Sequence, residues 1–238
     1  MPPRAIKGLC PPESRRPREG TTRLRGPLGI ARGMQYTEEE GDLAVRVARE
    51  ALEAHVARRT MRSFVVPARF EAKAGAFVTL SLHPSGGLRG CIGYPEPFFP
   101  LLKSIVKAAE GSAEDPRFPT LREEELTGVA VEVSLLTPPQ VIEVRKPKEL
   151  PKLVRVGEDG LIVAQGPYRG LLLPQVAIEE RWGPEDFLAE TCIKAGLLAD
   201  AWLDESTRVK KFQAEIFAEV EPRGAVVRRS LGGTDARR

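Results

Sequence analysis

Residues 76 to 82 alternate Ala76, Val78, Leu80 and Leu82 against Phe77, Thr79 and Ser81. They meet the turn sequence Pro84-Ser85-Gly86-Gly87 and run on into Leu88-Arg89-Gly90-Cys91-Ile92-Gly93-Tyr94. A period of two, a glycine-rich turn and a second apolar run predict an antiparallel hairpin, hence a sheet whose successive side chains face opposite sides. The second run also concentrates chemistry, with a thiol, a guanidinium and two glycines in one short strand. Gly90 and Gly93 remove side chains where a ligand or another piece of backbone comes close. Arg89 and Cys91 are two residues apart, so a regular strand points both to one face, where a fixed positive charge favours thiolate. Two readings of Cys91 stand: a nucleophile, or a small buried side chain of a tight strand.

The surroundings supply candidate partners. His83, at the turn, is either a base for Cys91 or a solvent-exposed turn histidine. Past the strand, Pro100 opens a helix with the stripe Leu101, Leu102, Ile105, Val106 and Ala109. Its N-terminus, with the Gly90 and Gly93 amides, forms a candidate anion site. The glycine spacing matches neither a P-loop nor a dinucleotide fingerprint. Asp115 and Arg117, in Asp115-Pro116-Arg117-Phe118-Pro119, are either ligand-binding residues or the ion pair that fixes a turn. Glu132 faces away from Val131 and Val133 on an alternating strand and is a site carboxylate if that face lines a cleft.

The run Leu88 to Glu96, LRGCIGYPE, resembles the signature of the AMMECR-type domain, the family named for the Alport syndrome, midface hypoplasia and elliptocytosis deletion region. The likeness continues through the Asp115 to Pro119 motif, Val131 to Ser134, Gly160-Leu161-Ile162, Leu171 to Val176 and Lys194-Ala195-Gly196-Leu197, over residues 36 to 220. The resemblance implies an α+β fold in two subdomains with the signature near a cleft, and a genomic association with radical-enzyme and Memo-like partners. It names no substrate, reaction or cofactor.

The periodicities agree with an α+β chain built on a largely antiparallel sheet with packed helices. Residues 1–33 are basic, proline-rich and without periodicity, and read as disordered. Thr37 and Glu40 form a capping box before a helix reaching Arg58, and this change of character after Met34 marks Met34 as a candidate start of translation. The domain is expected over 34–221, with strands at Ser63 to Val66 and Val209 to Val220 and a subdomain boundary at Thr137-Pro138-Pro139. A helix is expected over Pro184 to Ala199, and a basic tail over 222–238.

Charge sorts the partners. Residues 1–33 carry eight basic and two acidic side chains and 222–238 carry five and one, so the total of +3 leaves 3 − 6 − 4 = −7 on the body. An acidic body is a poor match to nucleic acid. No apolar run is long enough to span a membrane, and three separated cysteines suit a reducing, cytoplasmic setting. With two histidines and no Cys-x-x-Cys, no zinc site is expected. The absence of Asn and the small number of Gln fit a heat-adapted source.

Two functions follow. The first is binding of a small anionic ligand or nucleotide around residues 88–94 by Arg89, Gly90 and Gly93, with Asp115, Arg117 and Glu132, in an accessory role to a modification pathway. The alternative is an enzyme using Cys91 as nucleophile and His83 as base. An RNA-associated or protein-interaction module is a third possibility.

Overall fold

The computed structural model describes residues 36–229 together with the short strand Ile6–Lys7. In chain order come β1 (Ile6–Lys7), α1 (Glu38–Val56), β2 (Gly75–Leu82), β3 (Leu88–Tyr94), α2 (Leu101–Ala113), β4 (Val129–Leu136) and β5 (Gln140–Val141). Then follow β6 (Gly160–Gln165), β7 (Tyr168–Leu172), α3 (Pro174–Glu179), α4 (Pro184–Lys194), β8 (Arg208–Phe212), β9 (Ala214–Glu219) and β10 (Val226–Arg229). The strands form a six-stranded sheet, β1-β3-β2-β4-β9-β10, and a four-stranded sheet, β5-β8-β6-β7. Every strand pair among the described residues is antiparallel, which gives the expected α+β class.

α1 starts at the expected capping box, with Thr37 Oγ1 accepting from the Glu40 amide at 3.2 Å and the Glu40 carboxylate accepting from the Thr37 amide at 2.9 Å. Its stripe, Ala44, Val47, Ala48, Ala51 and Leu52, packs with Leu101, Ile105 and Ala109 of α2 against Ala76, Val78, Leu80, Val131, Val133 and Phe217 of the large sheet. Each large apolar side chain removed from water in this way contributes roughly 1.5 to 3 kcal/mol. The opposite, inner face of the large sheet contributes Phe77, Cys91 and Leu136 to a second cluster, shared with Leu161, Leu171, Val176, Phe187 and Phe212 of the smaller layer.

Four expectations change. The run at Ser63 to Val66 is an extended stretch outside both sheets, and Val65 is 99 % exposed because no strand lies beside it. The single strand expected over Val209 to Val220 is two strands in different sheets, broken at Gln213. There Thr137 N–H donates to the Gln213 carbonyl at 2.9 Å and Gln213 N–H to Thr137 Oγ1 at 2.8 Å. The chain thus crosses between the layers side by side, after β4 and after β8. The expected tail at 222–238 contains β10, which pairs with β9 and closes one edge of the large sheet. Within the segment read as disordered, Ile6–Lys7 pairs with Gly93 and Ile92 of β3 at the other edge. The rest of residues 1–33, and the start at Met34, lie outside the described residues.

Candidate active site

Thr79 of β2 is paired with Cys91 of β3 on one side and with Glu132 of β4 on the other. Thiol, hydroxyl and carboxylate therefore share one cross-strand row on the inner face of the large sheet. The Cys91 N–H points away from β2, so Thr79 and Cys91 form a non-hydrogen-bonded pair, the kind in which side chains approach most closely. Thr79 Oγ1 donates to Cys91 Sγ at 3.3 Å. Cys91 is fully buried, Thr79 nearly so, and the Glu132 side chain is 18 % exposed. The hydroxyl is kept in this buried position by its bond to sulfur, where a valine of the same shape would need no partner.

Arg89 does not stand beside the thiol. Leu80 pairs with Gly90 but Ser81 pairs with Leu88, a bulge that inserts Arg89 as an extra residue. Leu88 consequently packs with the cluster that holds Cys91, and Arg89 turns to the helical side. Its Nε and Nη2 donate to Glu125 at 2.8 and 3.0 Å, and its guanidinium lies 6.0 Å from the Phe118 ring. Nη1 has no partner among the described residues, but it is buried, so an anion reaches it only by displacing its neighbours.

Both glycines are required by protein packing. A Cβ on Gly90 would lie 2.2 Å from the Ser112 carbonyl oxygen, and one on Gly93 would lie 2.2 Å from the Phe77 ring. Around them the backbone donors are occupied. The Cys91 amide donates to Asp115 at 2.9 Å, the Ile92 amide to Ser112 Oγ at 3.1 Å, and the Leu101 amide at the start of α2 to the Ala72 carbonyl at 2.9 Å. At the anion site expected from Arg89, Gly90, Gly93 and this helix N-terminus, these three amides are thus already bonded within the protein. Asp115 and Arg117 form an ion pair at 2.6 Å, and Arg117 Nη2 also donates to the Cys91 carbonyl at 3.2 Å, so both hold the backbone of β3.

From the other side, Glu179, the last residue of α3, comes within electrostatic reach of Glu132. Burial, followed by the charges of Glu132 and Glu180, pushes the Glu179 carboxyl up to about 7. Burial also raises Glu132, opposed by Arg229 of β10, whose Nη1 donates to Glu132 at 3.1 Å. In the same helix as Glu179, Gln175 Oε1 is buried with no hydrogen-bond partner among the described residues. Two carboxyls that resist ionising together, at the far end of a row that begins with a thiol, can hold and hand on a proton at neutral pH. His83 is exposed beyond the end of β2, four residues from Thr79, or about 13 Å at the usual strand rise, and is not brought to the thiol. Cys192 is buried in α4, where desolvation pushes its thiol up to about 11.

The AMMECR1 family model matches residues 45–217. The chain belongs to the AMMECR1 family. The protein PF1979 of Pyrococcus furiosus is 52 % identical over 202 residues, covering 82 % of this chain and 95 % of its own. MJ0810 of Methanocaldococcus jannaschii is 48 % identical over 196 residues, covering 82 % and 98 %. The crystal structure of the uncharacterized protein PH0010 from Pyrococcus horikoshii superposes with a TM-score of 0.77 at 49 % identity, covering 82 % of this chain and 98 % of that one. The heat-adapted composition fits these archaeal relatives.

In this AMMECR1-family chain, Cys91 and Glu132 stand out in the sequence, but Thr79 and Glu179 do not. The hairpin register held the signal for Thr79, whose side chain alternates with the apolar face of β2. Nothing local marks Glu179, whose environment comes from a different layer. Two surface hollows of about 400 and 560 Å³ lie along α1, on the helical side, away from the polar row. Among the described residues no group of three or more His, Cys, Asp or Glu is placed to hold a metal ion, and no helix is long and apolar enough to cross a membrane.

Proposed function

We propose that the chain is a thiol-dependent enzyme whose reaction centre is the row Cys91, Thr79 and Glu132 beneath Glu179. The observation that supports this reading is the register itself, which lines up a nucleophile, a hydroxyl donor and a carboxylate on a face otherwise built for apolar packing. Cys91 is the nucleophile. Thr79, which stands between Cys91 and Glu132, steadies charge on sulfur and relays the thiol proton towards Glu132, and the Glu179 carboxyl returns a proton to the substrate atom that gains charge when the sulfur–carbon bond forms. With the carboxyls Glu132 and Glu179 on this side and Arg89 tied to Glu125, the site suits an uncharged or cationic electrophile better than an anion.

Alkylation followed peptide by peptide by mass spectrometry tests this, with Cys192 as the internal control. In the folded chain Cys91 is expected to react with iodoacetamide faster than Cys192 by about tenfold or more, and to prefer iodoacetamide over iodoacetate more strongly than a free thiol does. Thr79→Val, which keeps the shape and removes the hydroxyl, is expected to slow Cys91 alone. Equal reaction of both cysteines, at the rate of unfolding, would overturn the reading and make Cys91 a packing residue.

A further inference from the structure

We propose that Asp115 and Arg117 are positioning residues for Cys91: with Gly90 they form a clamp that takes the place of a neighbouring strand at the outer edge of β3 and pins the bulge at Arg89, so that the thiol points at Thr79. The proposal rests on Cys91 being the nucleophile and deepens that reading by assigning the Asp115 to Phe118 loop a task within it.

At the edge of β3, Ile92 and Gly93 are covered by β1, and Cys91 is the next residue along. Its amide donates to Asp115 Oδ2 at 2.9 Å and its carbonyl accepts from Arg117 Nη2 at 3.2 Å, which are the two bonds a neighbouring strand would make. The Asp115 side chain is fully buried and is itself held by Arg117, whose Nε reaches Oδ1 at 3.0 Å and whose Nη2 reaches Oδ2 at 2.6 Å. These bonds outweigh burial and keep the Asp115 carboxyl below its ordinary range.

Gly90 makes the reach possible. Without a side chain there, the end of α2 approaches until the Ser112 carbonyl lies 2.2 Å, and Asp115 Cβ 3.6 Å, from where a Cβ would stand. Ser112 Oγ then accepts from the Ile92 amide at 3.1 Å and donates to the Val78 carbonyl at 2.8 Å, bracing the same stretch. The bulge explains why bracing is needed. A one-residue shift of register turns every following side chain to the other face, so a bulge that slid from Arg89 to Cys91 would turn the thiol towards α2. With N–H and C=O of Cys91 both fixed on the outer edge, only the orientation towards Thr79 fits.

The test compares Asp115→Ala, Asp115→Asn and Arg117→Lys by two readouts, amide hydrogen exchange at Cys91 and the Cys91-to-Cys192 ratio of iodoacetamide alkylation. Glu50→Gln serves as a destabilised control, since it weakens the buried bonds of α1 to Arg59 and Arg62, away from both cysteines. Asp115→Ala is expected to speed exchange at Cys91 by about tenfold or more, with Val133 of β4 unchanged, and to lower the alkylation ratio by a similar factor. Asp115→Asn keeps an acceptor oxygen and is expected to restore both readouts to near the wild type, whereas Glu50→Gln leaves them there. Wild-type values in Asp115→Ala, or an equal shift in Glu50→Gln, would overturn the clamp. If wild-type Cys91 reacts no faster than Cys192, the nucleophile reading fails and exchange at Cys91 alone decides the clamp. Should Asp115→Ala not fold, Arg117→Lys decides by the same readouts, because lysine cannot hold Asp115 with a fork and bond the Cys91 carbonyl at once.

Discussion

Arg49 and Glu50 of α1, on the helical face of the large sheet, and Glu132, on its inner face, are all charges drawn out of open water, yet their surroundings differ. Arg49 is joined to Glu219 of β9 through both nitrogens of its fork and also donates to the Leu126 and Val129 carbonyls, while Glu219 accepts from the Val131 amide. Glu50 is bonded by Arg59 and Arg62, and the Arg59 bond leads in holding its carboxyl down to about 2. Glu132 has one arginine, and Glu179, with no ion pair among the described residues, is raised. Both faces spend stability on burying charge, but at Arg49 and Glu50 the helical face recovers more of it, through several partners each. Saturated charges of that kind hold a fold together, whereas carboxyls left short of partners keep a proton to move.

The largest effect on this contrast is expected at Arg49. Arg49→Met leaves Glu219 buried and uncompensated, a loss of about 3 to 5 kcal/mol in unfolding free energy by urea denaturation at neutral pH. A loss below about 1 kcal/mol would mean that the helical-face network is as dispensable as a surface pair and would erase the contrast.

Glu50 sharpens it through pH. Its carboxyl is held below the ordinary value of 4.5, so the stability it contributes is fully present above pH 4.5 and drains away as pH falls to about 2. Glu50→Gln is expected to unfold at a lower temperature than the wild type at pH 7. The gap should close on acidification, as followed by circular dichroism melts from pH 7 to pH 2. A constant gap across that range would show that shape, not charge, matters at this position.

How much of this could be read in advance depends on how local each signal is. The capping box at Thr37, the alternation of β2 and β4, and the turning of Glu132 away from Val131 and Val133 are all statements about neighbours within a few residues, and the structure has each of them. The orientation of Arg89 was misjudged because a bulge changes parity without changing composition, and only the pairing of Leu88 with Ser81 exposes it. The switch of sheets at Gln213 was hidden for a similar reason: alternation runs on unbroken through Phe212, Ala214 and Ile216 although the partners change. Gly90 and Gly93 were rightly taken as places of close approach. What approaches them, a helix end and a phenylalanine ring, was set by elements the sequence does not place.

Glu179 gives the smallest and most specific effect, and it has the opposite sign to Glu50. Its folded carboxyl titrates near 7, above the ordinary 4.5, so the unfolded chain gives up its proton first on raising the pH. The group's contribution to stability is therefore intact below pH 4.5, declines between 4.5 and about 7, and is gone above that. Glu179→Gln removes the decline: the variant is expected to melt with the wild type near pH 4.5 and above it at pH 8. The residue is exposed to solvent, which screens the repulsion from Glu132 and keeps the gain small. Combining Glu179→Gln with Glu132→Gln separates the two causes. If the gain at pH 8 persists when Glu132 is already neutral, desolvation alone raises Glu179. If it shrinks, the two carboxyls share one charge, and the inner face is a coupled pair opposite a thiol, unlike the self-contained ion pairs under α1.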